Sequence, residues 1–270
     1  MMRRPGRLVL LGHPVGHSLS PTLYNAALAA AGIPLTYEAL DVDPSAFDAT
    51  IIELRRDRAA GNVTVPHKER MYRACDALSP LAARVGAVNV FWIDDSGRLI
   101  GDNTDVGGFD AAASRFLGEP PQGITVGVIG AGGAAAAVLA AVNEWRNCAA
   151  HVYNRTPERA RLLCERFRTV ARPVDDIGVI GGAQLVVNAT SIGLNDESMP
   201  IDLSFIRRET VVIDLVYKDG ETHFVRALRR RGIRATDGIE MLVEQAALAY
   251  ERWFGVIGDR VQMRLAVGTR

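Results

Sequence analysis

Apolar runs alternate with stretches of helical spacing along the whole chain. In the first half, the apolar runs predict strands at residues 7–12, 36–42, 62–65, 85–94 and 98–101. A helix is predicted to start at Ser20-Pro21, where serine serves as the N-cap and proline takes the first helical position, and to end at Gly32. Further helices are predicted at 44–56, 68–78 and 106–117.

The same alternation starts again after the proline-rich linker 119–123. Strands are predicted at 124–130, 149–154, 185–188 and 211–214. Helices are predicted at 134–145, 157–167, 222–231 and 241–254. Strands and helices in this order predict an α/β fold of parallel sheets joined by helical crossovers.

One stretch also has the length of a membrane span, because residues 124–142 contain no charged side chain. Four glycines interrupt it, and much of the remainder is alanine, which is only weakly hydrophobic. A buried strand, a glycine turn and a buried helix therefore explain this stretch better than a membrane span does.

Composition narrows the partners and the compartment. Basic and acidic residues balance at 31 each, so neither a nucleic acid nor an acidic membrane is expected as a partner. Cys75, Cys148 and Cys164 lie far apart in sequence, which excludes a CxxC pair and fits a reducing compartment, here the cytoplasm. Only a short apolar run follows the basic N-terminus, so no signal peptide is expected.

The segment VGVIGAGGAA follows a predicted strand and opens a predicted helix. Its Gly130, Gly132 and Ala135 fit the GxGxxG/A pattern of dinucleotide-binding turns. Gly130 permits the tight turn, Gly132 lets the backbone approach a pyrophosphate, and the helix N-terminus offers free N–H groups. A small-residue turn needed only for packing would show the same pattern, so this motif alone is a weak signal.

The next strand carries more information about the cofactor. A site for NAD usually places an acidic residue at the end of this strand to bind the ribose hydroxyls, but here the strand ends in YNRTPERAR. Arg155 and Arg159 suit the 2′-phosphate of NADP, since guanidinium groups bind phosphate through several donors. Cations at a helix N-terminus also oppose the helix dipole and favour a compensating anion, so we expect NADP rather than NAD.

Polar residues recur at the strand ends of the first half. In GHPVGHSLSP, Ser18 and Ser20 provide hydroxyl groups near a helix N-terminus, where they suit a carboxylate ligand. His13 and His17 straddle a proline and a glycine, so no helix presents them together and no metal site is expected.

The segment NVTVPHK raises the question of which side chain moves protons. Strand alternation predicts Asn62 and Thr64 on one face. From residue types alone, His67 is the better-tuned base and Lys68 is the alternative. The later segments GAVNVF and GDNTDVGG add Asn89, Asp102 and Asp105, and together these segments indicate one polar pocket.

Taken in order, the segments resemble the shikimate dehydrogenase family of NADP-dependent enzymes of aromatic amino-acid biosynthesis. The matching motifs are HSLSP, NVTVPHK, GAVN, GDNTD, GAGGA, NRT, NATSIG, DLVY and DGIEMLVEQA. The resemblance implies two α/β domains. One is a substrate domain at 1–106 and 241–270, to which the C-terminal helices return, and the other is a Rossmann-type NADP-binding domain at 107–240.

The resemblance also implies the reaction and the site residues. NADPH would reduce 3-dehydroshikimate to shikimate, with Lys68 and Asp105 as the acid–base pair. The substrate-binding residues would be Ser18, Ser20, Thr64, Asn89, Tyr217 and Gln245. The NADP-binding residues would be Gly130, Ala131, Gly132, Gly133, Ala134, Asn154, Arg155, Thr156, Arg159, Thr190, Leu215, Gly238 and Met241. Either a monomer or a homodimer is expected.

The chain departs from the family pattern at two positions near the expected pocket. Tyr24 stands where histidine is common, and Val90 stands where threonine is common after Asn89. Neither change removes a catalytic group, but both can reshape the pocket. Two alternatives therefore stay open, namely a relative acting on quinate or an amino-shikimate and a non-catalytic NADP-binding sensor.

Overall fold

The computed structural model describes residues 5–218 and 220–268. These residues divide into two compact units. The first unit contains the residues up to Gly108 and those from Leu242 onward, and the second unit is Phe109–Met241.

The elements follow the predicted alternation. The strands are β1 (Arg7–Gly12), β2 (Tyr37–Asp41), β3 (Ala59–Val63), β4 (Ala77–Leu78), β5 (Val90–Ile93), β6 (Leu99–Asp102), β7 (Thr125–Ile129), β8 (Ala149–Tyr153), β9 (Ala171–Pro173), β10 (Leu185–Asn188), β11 (Val211–Asp214) and β12 (Arg234–Thr236). The helices are α1 (Ser20–Ala30), α2 (Phe47–Arg56), α3 (Lys68–Ala74), α4 (Pro80–Val85), α5 (Asp105–Leu117), α6 (Gly133–Glu144), α7 (Pro157–Arg166), α8 (Gly178–Gly181), α9 (His223–Arg230), α10 (Ile239–Phe254) and α11 (Arg260–Ala266). The predicted α/β class is confirmed.

The sheet of the first unit is mixed, with strand order β2-β1-β3-β5-β6-β4. Strand β1 pairs in parallel with β2 and β3, whereas β5 runs antiparallel to both β3 and β6. The prediction of parallel strands is therefore wrong for β5, whereas β1, β2, β3, β4 and β6 run parallel to one another. The Asp94–Gly97 turn joins β5 to β6 directly, and so short a connection forms a hairpin rather than a crossover.

This mixed topology determines which chain segments meet. Because β5 is antiparallel to its neighbours, its amino end lies at the same edge of the sheet as the carboxyl ends of β1, β3 and β6. The segments that leave this edge are 13–19, 64–67, 87–89 and 103–105. All four carry predicted site residues.

Several predicted boundaries in this unit are wrong. The third strand ends at Val63 rather than at residue 65, and Val65 is exposed. Helix α3 ends at Ala74, because Ala77–Leu78 pairs with β6 as a short strand. Helix α4 was not predicted, although Ser79 caps it in the way that was expected of Ser20.

Ser20 itself is the first residue of α1 rather than its N-cap. Leu19 takes the N-cap position and offers no side-chain hydrogen bond, while Pro21 lies in the first turn as expected. The Ser18 hydroxyl instead accepts the backbone N–H of Ser20 at 3.2 Å. Gly32, with φ +62°, follows the helix as predicted.

The sheet of the second unit is wholly parallel, with strand order β12-β11-β10-β7-β8-β9. Counted from β7, this is the 3-2-1-4-5-6 order of the Rossmann fold. The order reverses between β7 and β10, and dinucleotides bind at that crevice in such sheets. The predicted Rossmann fold is confirmed.

The uncharged stretch 124–142 forms a strand, a turn and a helix, as predicted. The strand is β7 and the helix is α6. Every residue of α6 from Ala135 to Val142 is buried. Within residues 5–218 and 220–268, no helix is both long and apolar enough to cross a membrane.

Gly61 lies at the centre of the first sheet, where β3 pairs with β1 on one side and β5 on the other. A Cβ atom at Gly61 would lie 2.0 Å from the carbonyl oxygen of Val9. Since that oxygen belongs to a buried strand, the backbone itself would have to move. The close approach of these two strands therefore requires glycine.

Gly61→Ala is expected to lower the free energy of unfolding by about 3 kcal/mol, the upper range for overpacking a buried site. Denaturant titration would measure the loss. Gly16→Ala serves as the control, because an added Cβ there meets no atom within 4 Å, and a change below about 0.5 kcal/mol is expected. Equal stability of Gly61→Ala and the unmodified protein would contradict this account of the sheet.

Candidate active site and dinucleotide site

An ion pair lies at the polar edge of the first sheet. The Nζ atom of Lys68 is 2.6 Å from Oδ2 of Asp105, and the two side chains are only 16% and 6% exposed. Lys68 is the first residue of α3 and Asp105 is the first residue of α5. A helix N-terminus favours a carboxylate and disfavours an ammonium. The Asp105 carboxylate therefore offsets the unfavourable placement of the Lys68 ammonium at the start of α3.

The side-chain amide of Asn89 fixes the other oxygen of this carboxylate. Its Nδ2 donates to Oδ1 of Asp105 at 2.7 Å and lies 3.3 Å from Oε1 of Gln245. Its Oδ1 accepts the backbone N–H of Thr104 at 2.7 Å. The structure therefore brings together four predicted site residues, Lys68, Asn89, Asp105 and Gln245.

Thr104 belongs to the same cluster, although the sequence analysis did not single it out. Its hydroxyl is 3.1 Å from Nδ2 of Asn89 and 3.5 Å from Oε1 of Gln245, and the residue is buried. Its position inside the GDNTD segment, next to Asp105, was the available signal.

His67 has a structural role. The residue is 1% exposed, a ring nitrogen lies 2.6 Å from the carbonyl oxygen of Val42, and the ring packs 5.1 Å from that of Phe47. A ring held in this way cannot reach a ligand. The burial of His67 therefore argues against a role in proton transfer, and the assignment of Lys68 stays a prediction.

Asn62 is also structural. Its Oδ1 accepts the hydroxyl of Tyr37 at 2.8 Å, and its Nδ2 donates to the backbone carbonyl of Asn89 at 3.1 Å. Asn62 thereby holds the Asn89 backbone in place at the amino end of β5. Thr64 is half-buried at the end of β3, and its backbone N–H donates to Leu11 at 2.8 Å.

Ser18 and Ser20 leave the same sheet edge on the segment after β1. Ser20 is buried and Ser18 is half-buried. Gly12, at the end of β1, leaves room for Thr64, because a Cβ there would lie 2.4 Å from the Thr64 methyl group. The three hydroxyl-bearing residues thus follow the ends of two neighbouring parallel strands, β1 and β3.

The two departures from the family pattern are both buried. Tyr24 stacks on Tyr37 with ring centroids 4.4 Å apart, and its hydroxyl has no hydrogen-bond partner among the described residues. Burial raises the pKa of Tyr24, with the nearby Asn62 amide opposing the shift and the Asp105 charge adding to it. Val90 begins β5 and pairs with Asn62 and Asp102.

The glycine turn of the second unit has the geometry that the motif predicts. Gly130 has φ +116°, and a Cβ there would lie 2.8 Å from the carbonyl oxygen of Ala189 and 3.1 Å from the Thr190 methyl group. Gly132 is the N-cap of α6 and provides no side chain to its free N–H groups. Ala131, Gly132, Gly133 and Ala134 are all half-buried at this uncapped N-terminus, which fits a pyrophosphate.

Two arginines near the end of the neighbouring strand β8 have no side-chain partner among the described residues. Arg155 and Arg159 are exposed, and no hydrogen bond or ion pair joins either guanidinium to another residue in the described ranges. Arg161, which lies on α7 together with Arg159, instead pairs with Glu158 and Asp175. The N-cap of α7, Thr156, makes no side-chain capping bond, and Nδ2 of Asn154 donates to its carbonyl oxygen at 2.9 Å.

A buried carboxylate links the other loops of this crevice. Asp214 accepts hydrogen bonds from Nδ2 of Asn188 at 2.8 Å and from the Thr222 hydroxyl at 2.7 Å. Burial raises the pKa of Asp214 to about 6 despite these donors. Asn188 in turn accepts the Thr190 hydroxyl at 2.7 Å, so Thr190 is held at the end of β10, next to the glycine turn.

The remaining predicted cofactor residues lie beside this network. Gly238 packs on Leu215, because a Cβ at Gly238 would be 2.3 Å from the Leu215 carbonyl oxygen. Met241 is buried within α10. Tyr217 is half-buried in the segment that follows β11.

Three family models match the chain. They describe the shikimate dehydrogenase substrate binding domain over residues 10–91, shikimate / quinate 5-dehydrogenase over residues 112–215, and the shikimate 5'-dehydrogenase C-terminal domain over residues 238–267. The models cover both units.

Individual relatives extend over almost the whole chain. The shikimate dehydrogenase (NADP(+)) of Methylobacterium radiotolerans is 40% identical over 257 residues, which are 92% of this chain and 91% of the relative. The corresponding enzyme of Rubrobacter xylanophilus is 41% identical over 267 residues, which are 96% of this chain and 94% of the relative. A structure of shikimate 5-dehydrogenase from Thermus thermophilus in complex with NADP(H) and shikimate matches with a TM-score of 0.87 and 39% identity, covering 97% of this chain and 98% of that chain. The chain belongs to the shikimate dehydrogenase family.

Proposed function

We propose that this protein reduces 3-dehydroshikimate to shikimate with NADPH, a reversible step of aromatic amino-acid biosynthesis. The observation that carries the proposal is the Lys68–Asp105 ion pair, held at 2.6 Å and fixed by Asn89. The NADP-dependent relatives named above support the same reaction. A non-catalytic NADP-binding sensor on this fold would need no proton donor, so the ion pair favours an enzyme.

Lys68 acts as the general acid. Reduction of a ketone adds a hydride to carbon and a proton to oxygen, and NADPH supplies the hydride when it is bound. The Lys68 ammonium donates its proton to the carbonyl oxygen as negative charge develops there, which typically accelerates a reaction about 100- to 10,000-fold. Because the Lys68 side chain is 16% exposed, the neutral amine that remains can regain a proton from water.

The neighbouring side chains orient the substrate. Asp105 holds the Lys68 ammonium and accepts a hydrogen bond from the adjacent hydroxyl of the substrate. Asn89 and Gln245 bind ring hydroxyls, and the Thr104 hydroxyl between their amides supports them. Ser18, Ser20, Thr64 and Tyr217 bind the carboxylate of the substrate.

The second unit binds the cofactor. The backbone from Gly130 to Ala134 binds the pyrophosphate at the uncapped N-terminus of α6. Asn154, Arg155, Thr156 and Arg159 bind the adenosine 2′-phosphate. Thr190, Leu215, Gly238 and Met241 line the nicotinamide end. A cytoplasmic location and a monomeric or homodimeric state stay predictions.

Initial rates with shikimate or quinate, each with NADP⁺ or NAD⁺, test the reaction and both specificities. Nicotinamide absorbance reports turnover of the purified protein. We expect kcat/KM for shikimate with NADP⁺ to exceed that of every other pair by at least about tenfold, because NAD⁺ lacks the phosphate that the two arginines would bind and the added hydroxyl of quinate has no assigned partner in the pocket. A preference for quinate or NAD⁺ would contradict the proposed specificity, and absence of turnover with all four pairs would contradict the proposed reaction.

Replacing the two unpaired arginines is expected to weaken NADP⁺ binding selectively. Arg155→Ser and Arg159→Ser each remove a charge-assisted contact to the 2′-phosphate, worth about 1.5–3 kcal/mol, so KM for NADP⁺ should rise at least about tenfold in each variant. KM for NAD⁺, which lacks this phosphate, should stay within about twofold.

Arg161→Ser is the matched control, because Arg161 lies on α7, as Arg159 does, and already pairs with Glu158 and Asp175. Its KM values for both cofactors should remain unchanged. Equal losses with NADP⁺ and NAD⁺ in Arg155→Ser would show that Arg155 does not read the phosphate.

A further inference from the structure

Asp102 lies directly before the residues of the active site and is almost fully buried. Its side chain is 5% exposed at the carboxyl end of β6. One oxygen accepts the Ser79 hydroxyl and the backbone N–H of Asn103, the latter at 2.7 Å, and the other accepts Nε of Arg252 at 2.8 Å. Arg252, on α10, supplies the cationic partner of this carboxylate.

A short chain of hydrogen bonds connects Asp102 with Asp105. Asn103, whose N–H is bound by Asp102, accepts the backbone N–H of Asp105 on its own Oδ1 at 3.1 Å. The Asn103 amide also donates to the carbonyl oxygen of Ala87 at 2.9 Å. The turn from β6 into α5 is therefore fixed by side chains that begin at Asp102 and end at the N-terminus of α5.

Arg252 and Gln245 share one face of α10. They are seven residues apart, which is close to two full helical turns. Gln245 reaches Asn89 and Thr104, while Arg252 reaches Asp102. The same helix face thus contacts residues 102–104 at two points, and the Arg252 ion pair is the stronger of the two because both groups are charged.

We propose that Arg252 is a positioning residue for shikimate, which holds α10 in register with residues 102–105 through Asp102 and thereby places Gln245 and Asp105. This role rests on the proposed function, since it assigns those two residues to the substrate. Without Arg252, the Asp102 carboxylate, which is only 5% exposed, loses its cationic partner, and an unpaired buried charge is costly even though the Arg252 side chain itself is 43% exposed. Relaxation of the turn then displaces the groups that bind the ring hydroxyls.

A neighbouring ion-pair cluster on the same helix provides the matched control. Glu244, adjacent to Gln245, pairs with Arg260 and Arg264 of α11, each at 2.6 Å. These pairs join α10 to α11 and do not involve residues 102–105. Arg260→Met therefore removes a similar arginine–carboxylate contact from α10 without touching the turn.

The test compares Arg252→Met, Arg252→Lys and Arg260→Met in the full-length protein. Methionine keeps much of the apolar stem of arginine and removes the charge. For Arg252→Met, we expect KM for shikimate to rise about tenfold with a fall in kcat, since small displacements of positioned groups have large effects on rate. KM for NADP⁺ should stay within about twofold, Arg252→Lys should recover most of the loss, and Arg260→Met should match the unmodified protein.

Hydrogen exchange gives a second measurement that needs no turnover. The backbone amides of residues 102–105 should exchange faster in Arg252→Met, and in Arg252→Lys to a smaller extent, but not in Arg260→Met. Unchanged exchange and unchanged KM in Arg252→Met would overturn the proposal, as would equal effects of Arg252→Met and Arg260→Met. If the unmodified protein did not turn over shikimate, the proposed function would fail, and the exchange rates would still decide whether Arg252 holds the turn.

Discussion

The contact between Lys68 and Asp105 is the constraint on which the candidate active site depends. Removing an ammonium and a carboxylate from water costs several kcal/mol for each ion, and the cost is offset only by good geometry and further hydrogen bonds. Here the remaining carboxylate oxygen is bound by Asn89, and the carboxylate begins a helix, where the helix dipole favours it. Helix α3 supplies Lys68, helix α5 supplies Asp105, and Asn89 lies directly before β5.

The antiparallel course of β5 satisfies that requirement. In a parallel strand at the same place, Asn89 would lie at the opposite edge of the sheet, far from the helices that carry Lys68 and Asp105. The hairpin between β5 and β6 instead returns the chain to the edge where β3 ends. The second unit has no such reversal, because all of its strands are parallel and its crevice lies at their carboxyl ends.

Local patterns predicted much of this structure from the sequence. The buried strands β10 and β11 have the predicted bounds, and the glycine turn has the backbone that its motif requires. Residue types alone favoured His67 over Lys68, because reference pKa values ignore burial, and only the fold buries His67.

The composition of the chain contains a further signal that favours Lys68. The chain has 31 lysines and arginines, and only Lys68 and Lys218 are lysines. The others are arginines, which do not release protons. Arg252 could not be predicted in the same way, since its contact with Asp102 joins segments far apart in sequence, whereas Thr104 stands next to Asp105 in the GDNTD segment.

Lys68→Arg is the variant that tests proton donation by Lys68 most directly. Arginine keeps the positive charge and can still pair with Asp105, but it cannot act as a proton donor near neutral pH. Steady-state rates in the direction of reduction, with 3-dehydroshikimate and NADPH, should show kcat reduced at least about 100-fold, with KM for 3-dehydroshikimate changed less than about threefold. Lys218→Arg, the other lysine replacement, should retain full activity. If Lys68→Arg kept a third or more of the original kcat, a fixed positive charge would be sufficient, and the assignment of Lys68 as the proton donor would be wrong.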